Sequence, residues 1–152
     1  MLNEILSLAH GFFGLVFLMA FSGIIVWLKR ADKKDINNIK TASIIMLAIT
    51  LFLFITGVSA YAIYRAPGGA REYIKASDTP WVHTILMELK EFTGFYVLVL
   101  TFVLTYMVFY FKEQIIINNK LRKMMITLLI IIMIWTLITF AFGAYITKVK
   151  PI

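Results

Sequence analysis

Apolar residues in this chain run together in four blocks, Ile5 to Leu28, Ala42 to Tyr64, Phe92 to Phe111 and Met124 to Thr147, and the polar residues collect between them. Each block is about 20 residues or longer, enough for an α-helix to cross roughly 30 Å of hydrocarbon. The pattern predicts an all-α integral membrane protein, a four-helix up-down bundle. It is read as a single transmembrane domain over residues 1–152, with helices at about 3–30, 40–65, 80–116 and 122–148. The connections are too short for a folded extramembrane domain, so any chemistry belongs inside the membrane or at its surface.

Local signals refine the boundaries. Asn37-Asn38 and Asn118-Asn119 mark turns, because asparagine tolerates tight-turn backbone angles, and Pro67-Gly68-Gly69 breaks the chain after the second helix. Asp78 or Thr79 is placed to accept hydrogen bonds from free amides at the start of the third helix, where Pro80 needs no donor. That puts His83 in the first turn. The third helix is longer than a bilayer requires, so its opening turns, with Glu88, Lys90 and Glu91, stand partly above the hydrocarbon. No basic stretch precedes the first apolar block and no small-residue cleavage site follows it, so it reads as a retained helix rather than a signal peptide.

Composition agrees: 61% of residues are hydrophobic and 15% charged, and the mean hydropathy is +0.88, which excludes a water-soluble enzyme. The net charge of +7 changes the picture through its distribution. Lys29, Arg30, Lys33, Lys34 and Lys40 crowd the first connection, and Lys112, Lys120, Arg122 and Lys123 the third. By the positive-inside rule both are cytoplasmic, which leaves both termini outside. Charge gathered at helix ends orients a chain in the lipid bilayer and does not form a nucleic-acid surface, so no nucleic-acid partner is expected. Trp81 and Tyr73 outside, and Trp27 and Tyr110 inside, read as interfacial anchors. The absence of cysteine excludes disulfides, iron–sulfur clusters and covalent c-type haem.

Two groups of polar residues call for explanation. His10 lies about two turns inside the first helix, with Gly11 and Gly14 beside it. An imidazole at that depth is a functional candidate, and Gly14 opens space one turn below it for a flat cofactor or for close helix packing. On the third helix, His83, Met87, Lys90 and Gly94 share one face and Thr84, Glu88, Glu91 and Phe95 the next, about 100° away. Glu88 reads as part of a solvated collar and Glu91, beside the apolar run, as the better functional group. Counting ~1.5 Å per residue from the inner turns puts Glu91 level with His10 and adds Thr56, Ser59 and Tyr145 to a polar pocket in the outer third. His83 falls about 15 Å higher.

His10 with Gly11 and Gly14, Thr56-Gly57 followed by Tyr61 and Tyr64, and Pro67-Gly68-Gly69 leading to His83 resemble the small four-helix membrane cytochromes b and related prokaryotic membrane proteins, over roughly residues 7–96. The resemblance implies a b-type haem whose iron is ligated by His10 and His83, with Met87 the nearest alternative ligand. It also implies a place in a prokaryotic cell membrane. Three functions stay open at this point. One is a membrane subunit of a respiratory or redox complex, holding one haem b or a quinone near the outer leaflet, with Glu91 managing protons. Another is a cofactor-free accessory subunit packed against larger membrane subunits. The third is a small transporter or metal-handling protein using His10, Glu88 and Glu91. The first is the expectation carried forward, an electron-transfer or non-catalytic subunit rather than a stand-alone enzyme.

Overall fold

The computed structural model describes the backbone of Leu2–Val149; within residues 2–10 only the Leu8 side chain is described. Among the described residues all regular structure is helical: α1 (Leu2–Arg30), α2 (Ile36–Arg65), α3 (Ala70–Ala76), α4 (Glu88–Phe111), α5 (Gln114–Ile117) and α6 (Asn119–Val149). A π-helical stretch, Val82–Met87, leads directly into α4. Gly11–Arg30, Lys33–Arg65, Val82–Phe111 and Asn119–Val149 are long and apolar enough to cross a bilayer, as in a multi-pass membrane protein.

Each long helix contributes one narrow stripe to the interior. Phe17, Phe21, Ile24 and Leu28 of α1 meet Ile39 and Met46 of α2, Val97, Leu104 and Val108 of α4, and Leu121, Met125, Leu129 and Ile132 of α6. The steps of three and four residues keep each stripe on one side of its helix. Most of the remaining apolar surface faces outward, the normal state for a bundle whose solvent is lipid, where packing rather than water exclusion holds helices together. A second cluster, Tyr64, Ala70, Ile74, Val82, Met87 and Ile146, joins the end of α2 to α3, the π-helical stretch and the end of α6. The two clusters define a turn end and a strap end, the latter named for α3.

Hydroxyls reinforce the seams. Thr105 Oγ1 donates to the Ser43 carbonyl at 3.1 Å, tying α4 to α2, and Thr139 Oγ1 donates to Thr93 Oγ1 at 2.8 Å, tying α6 to α4.

The ends depart from the sequence expectation in three places. Asn37 and Asn38 lie in the first turn of α2, not in a loop. The reversal comes earlier, where Ala31 adopts φ 56° and the Asp32 carboxylate accepts the Lys34 amide at 3.1 Å. Hydrogen bonding there holds the Asp32 carboxyl below its ordinary range. Asn118 does act as a turn residue, its side chain accepting the amides of Lys120 and Leu121. At the start of the third span neither Asp78 nor Thr79 caps the helix; instead the Ser77 hydroxyl accepts the Thr79 amide at 3.2 Å. The third helix also stops at Phe111, because Lys112 takes φ 47° and turns the chain into α5.

Candidate functional site

Local geometry at the strap end begins with two glycines. Gly68 has φ +73°, a backbone state that side chains disfavour. A Cβ on Gly69 would stand 2.7 Å from the Ala66 carbonyl oxygen and 2.8 Å from that of Tyr64. The chain therefore reverses tightly enough to fold α3 back over the bundle. Glu72 secures the turn by accepting the Gly68 amide at 3.0 Å. The reversal carries Arg71 to His83.

His83 is 5% exposed and Tyr64 fully buried. Arg71 Nε donates to His83 Nε2 at 3.3 Å, and His83 Nδ1 lies 3.0 Å from the Tyr64 hydroxyl. Because Arg71 has only donors to offer, Nε2 must be the acceptor; the neutral ring then carries its proton on Nδ1 and donates it to Tyr64. The network extends along α2 and across to α4. Tyr61 stacks on Tyr64 with centroids 5.9 Å apart, the Arg65 guanidinium sits 4.9 Å over the Tyr61 ring, and the Tyr61 hydroxyl faces the Glu91 carboxylate. Glu91, Tyr61, Tyr64, His83 and Arg71 thus form one connected line from the flank of the bundle to the strap.

His83 and Met87 are buried, Lys90 and Gly94 are partly buried, and Thr84, Glu88, Glu91 and Phe95 are all exposed. The Lys90 side chain lies against α6: a Cβ on Gly143 would lie 3.4 Å from Lys90 Cε and 3.7 Å from Nζ. Glu91 therefore shares the exposed face with Glu88, and its distinguishing feature is the Tyr61 partner.

Thr56 Oγ1 donates to the carbonyls of Phe52 and Leu53, and Ser59 Oγ to that of Ile55. Tyr145 is 42% exposed and lies against Trp81 with the rings tilted, 5.8 Å between centroids. A Cβ on Gly14 would meet nothing within 4 Å among the described residues, so no close helix crossing depends on it. The His10 side chain lies outside the described residues. For iron ligation by His83, either Arg71 would have to withdraw from Nε2 or Tyr64 from Nδ1, since both ring nitrogens are engaged.

Tyr61, Tyr64 and Arg71 are site residues that the sequence reading does not single out. A tyrosine pair one helical turn apart at the end of an apolar block, followed by an arginine just beyond a Pro-Gly-Gly turn, is the signal that carries them. Comparison with protein-family models, curated proteins and solved structures found no match.

Proposed function

We propose that this chain is a membrane-embedded subunit of a prokaryotic respiratory or redox complex, threaded up and down through the bilayer with both termini outside, and that its strap end seats a quinone head-group. The observation that carries the reading is the connected line Glu91, Tyr61, Tyr64, His83, Arg71. Each of its first four members carries a group able to hold or release a proton, and Arg71 fixes the tautomer of His83. Glu91 is exposed and Tyr61 partly so, which suits a lipid-soluble ligand arriving from the side. A quinone supplies redox chemistry coupled to proton uptake and release. The chain's own part is to offer the Tyr61 hydroxyl as hydrogen-bond donor, to hold or pass a proton at Glu91, and to keep His83 oriented. Haem b remains the alternative cofactor, with Met87 or His10 as companion to His83.

The experiment uses purified protein carrying Trp27→Phe and Trp135→Phe, so that Trp81 at the strap end is the sole fluorophore. A short-chain quinone is expected to quench its emission saturably, with weaker binding in Tyr61→Phe and Glu91→Gln. Linear quenching, identical in all variants, refutes the site. A dithionite-reduced b-type spectrum that disappears with His83→Ala assigns haem instead.

A second reading, a cofactor-free accessory subunit bound to larger membrane subunits, is favoured by α6, whose Ile130, Ile131, Ile134, Leu137 and Phe140 are all exposed. Copurification of stoichiometric membrane partners, lost on replacing these residues by alanine, supports it.

A further inference from the structure

The seam between α2 and α4 is hollow at two heights. Near mid-span a cleft of roughly 350 Å³ is lined only by Leu47, Leu51, Leu98, Val99 and Phe102. At the turn end a second hollow, of roughly 470 Å³, includes Asn37, Lys40, Tyr110, Lys112, Glu113 and Gln114 in its wall. Helical spacing joins them. Asn37, Lys40, Ile44, Leu47 and Leu51 follow one another at steps of three and four along α2, as Phe102, Tyr106 and Tyr110 do at steps of four along α4, so each series keeps to one side of its helix. Ile44, Leu51, Phe102, Tyr106 and Tyr110 are exposed, which leaves this side of the seam uncovered along its length.

We propose that this seam binds one anionic phospholipid lengthwise, its phosphate between Lys40 and Lys112 and an acyl chain against Leu51 and Phe102. The dimensions fit an amphiphile. Lys40 and Leu51 are eleven residues apart, about 16 Å along a helix, and a lipid tail reaches about 15 Å from its head-group to the middle of a bilayer. Charge selects the head-group. Two ammonium groups against the single Glu113 carboxylate leave the polar hollow net positive, and the amides of Asn37 and Gln114 add uncharged donors for phosphate oxygens. A zwitterionic head-group brings its own cation and forfeits that excess. Lys112 also holds φ 47°, a strained state for a residue with a side chain, retained at the point where the chain bends around the hollow. The inference is independent of any redox role.

Native mass spectrometry of the detergent-released protein tests it, with phosphatidylglycerol and phosphatidylcholine of matched chain length as probes. Phosphatidylglycerol is expected to bind about tenfold more tightly, as two lysines near a phosphate allow. The double variant Lys40→Gln, Lys112→Gln should remove the preference, whereas Lys120→Gln, Lys123→Gln, which takes away the same charge outside the hollow, should keep it. Leu51→Trp should weaken both lipids without altering their ratio. Equal binding of the two lipids, equal effects of the two double variants, or competition by free glycerol phosphate at matched concentration would overturn the proposal; circular dichroism and gel filtration establish that each variant is folded.

Discussion

Replacing Tyr64 by phenylalanine removes one oxygen atom and little else: the ring, its burial and its stacking on Tyr61 all remain. What changes is His83, whose Nδ1 loses its partner at 3.0 Å inside a site only 5% exposed. A neutral hydrogen bond contributes about 0.5–1.5 kcal/mol and a stranded buried donor costs about 1–3. Comparable interactions in membrane bundles average nearer 0.6, because the unfolded chain finds partners too. The expected loss is therefore ~1–2 kcal/mol. The ring has no easy escape, since moving its proton to Nε2 would set that N–H against the Arg71 N–H. Arg71→Leu removes this obstruction, so the double variant should lose less than the sum of the singles by ~0.5 kcal/mol or more. Denaturant unfolding in a mild detergent, followed by circular dichroism, measures all four corners of the cycle, and ¹⁵N chemical shifts of the His83 ring report the tautomer. Tyr64→Phe within about 0.3 kcal/mol of the parent, with unchanged ring shifts, would refute the reasoning.

Gly69→Ala drives a Cβ against two carbonyl oxygens, so α3 should lift and carry Arg71 from His83; a loss of ~1–3 kcal/mol and faster tryptic cleavage after Arg71 or Lys75 are expected. Ala31→Gly relieves a positive φ at the end of α1 and should stabilise the protein by about 1 kcal/mol in the same unfolding assay. Asp32→Asn should lower stability at neutral pH. Hydrogen bonding depresses the Asp32 carboxyl in the folded state, so the parent's advantage should fade as pH falls through the ordinary aspartate value of 3.8 and below. Glu91→Gln should lower stability through Tyr61 by less than about 1 kcal/mol, because Glu91 is exposed, and Glu88→Gln should do less; equal effects of the two in the same unfolding assay would reduce Glu91 to another solvated charge.

Four apolar runs of membrane-spanning length are visible without any structure, because hydrocarbon demands an unbroken series of apolar residues. Helix ends are less visible. Between Ile36 and Lys40 the helical signal is only Ile36 and Ile39, one turn apart and both buried, beside Asn37 and Lys40, which are as well solvated on a helix end as in a loop. The strap α3 is invisible for another reason: seven residues give too little periodicity, and their place is set by the close approach of Gly69 to neighbouring carbonyls. Counting by 3.6 did group His83, Met87 and Lys90 on one face of the third span, and that face is the one turned inward. The count does not say which face is buried, so the inward turn of Lys90 is legible only in the structure. The pocket expected from Thr56, Ser59 and Tyr145 was counted to the level of His10, whose side chain lies outside the described residues, and height along an axis does not determine direction around it. The hydroxyls of Thr56 and Ser59 turn back to carbonyls of their own helix.

The wide turn at Val82–Met87 bears on how the coding sequence can change in length. Inserting or deleting one codon within an ordinary α-helix swings everything beyond it by about 100°. A deletion within α4 ahead of Thr93 would rotate Thr93, Val97, Thr101, Leu104 and Val108 off the buried stripe together. A π-helical turn already holds one residue more than the ladder needs. Losing one codon there would return the stretch to ordinary helix and leave the stripe facing where it does now. The price falls locally, on the alignment of His83 with Tyr64. The start of this span is thus the place where a shortened gene could keep the bundle and give up the latch.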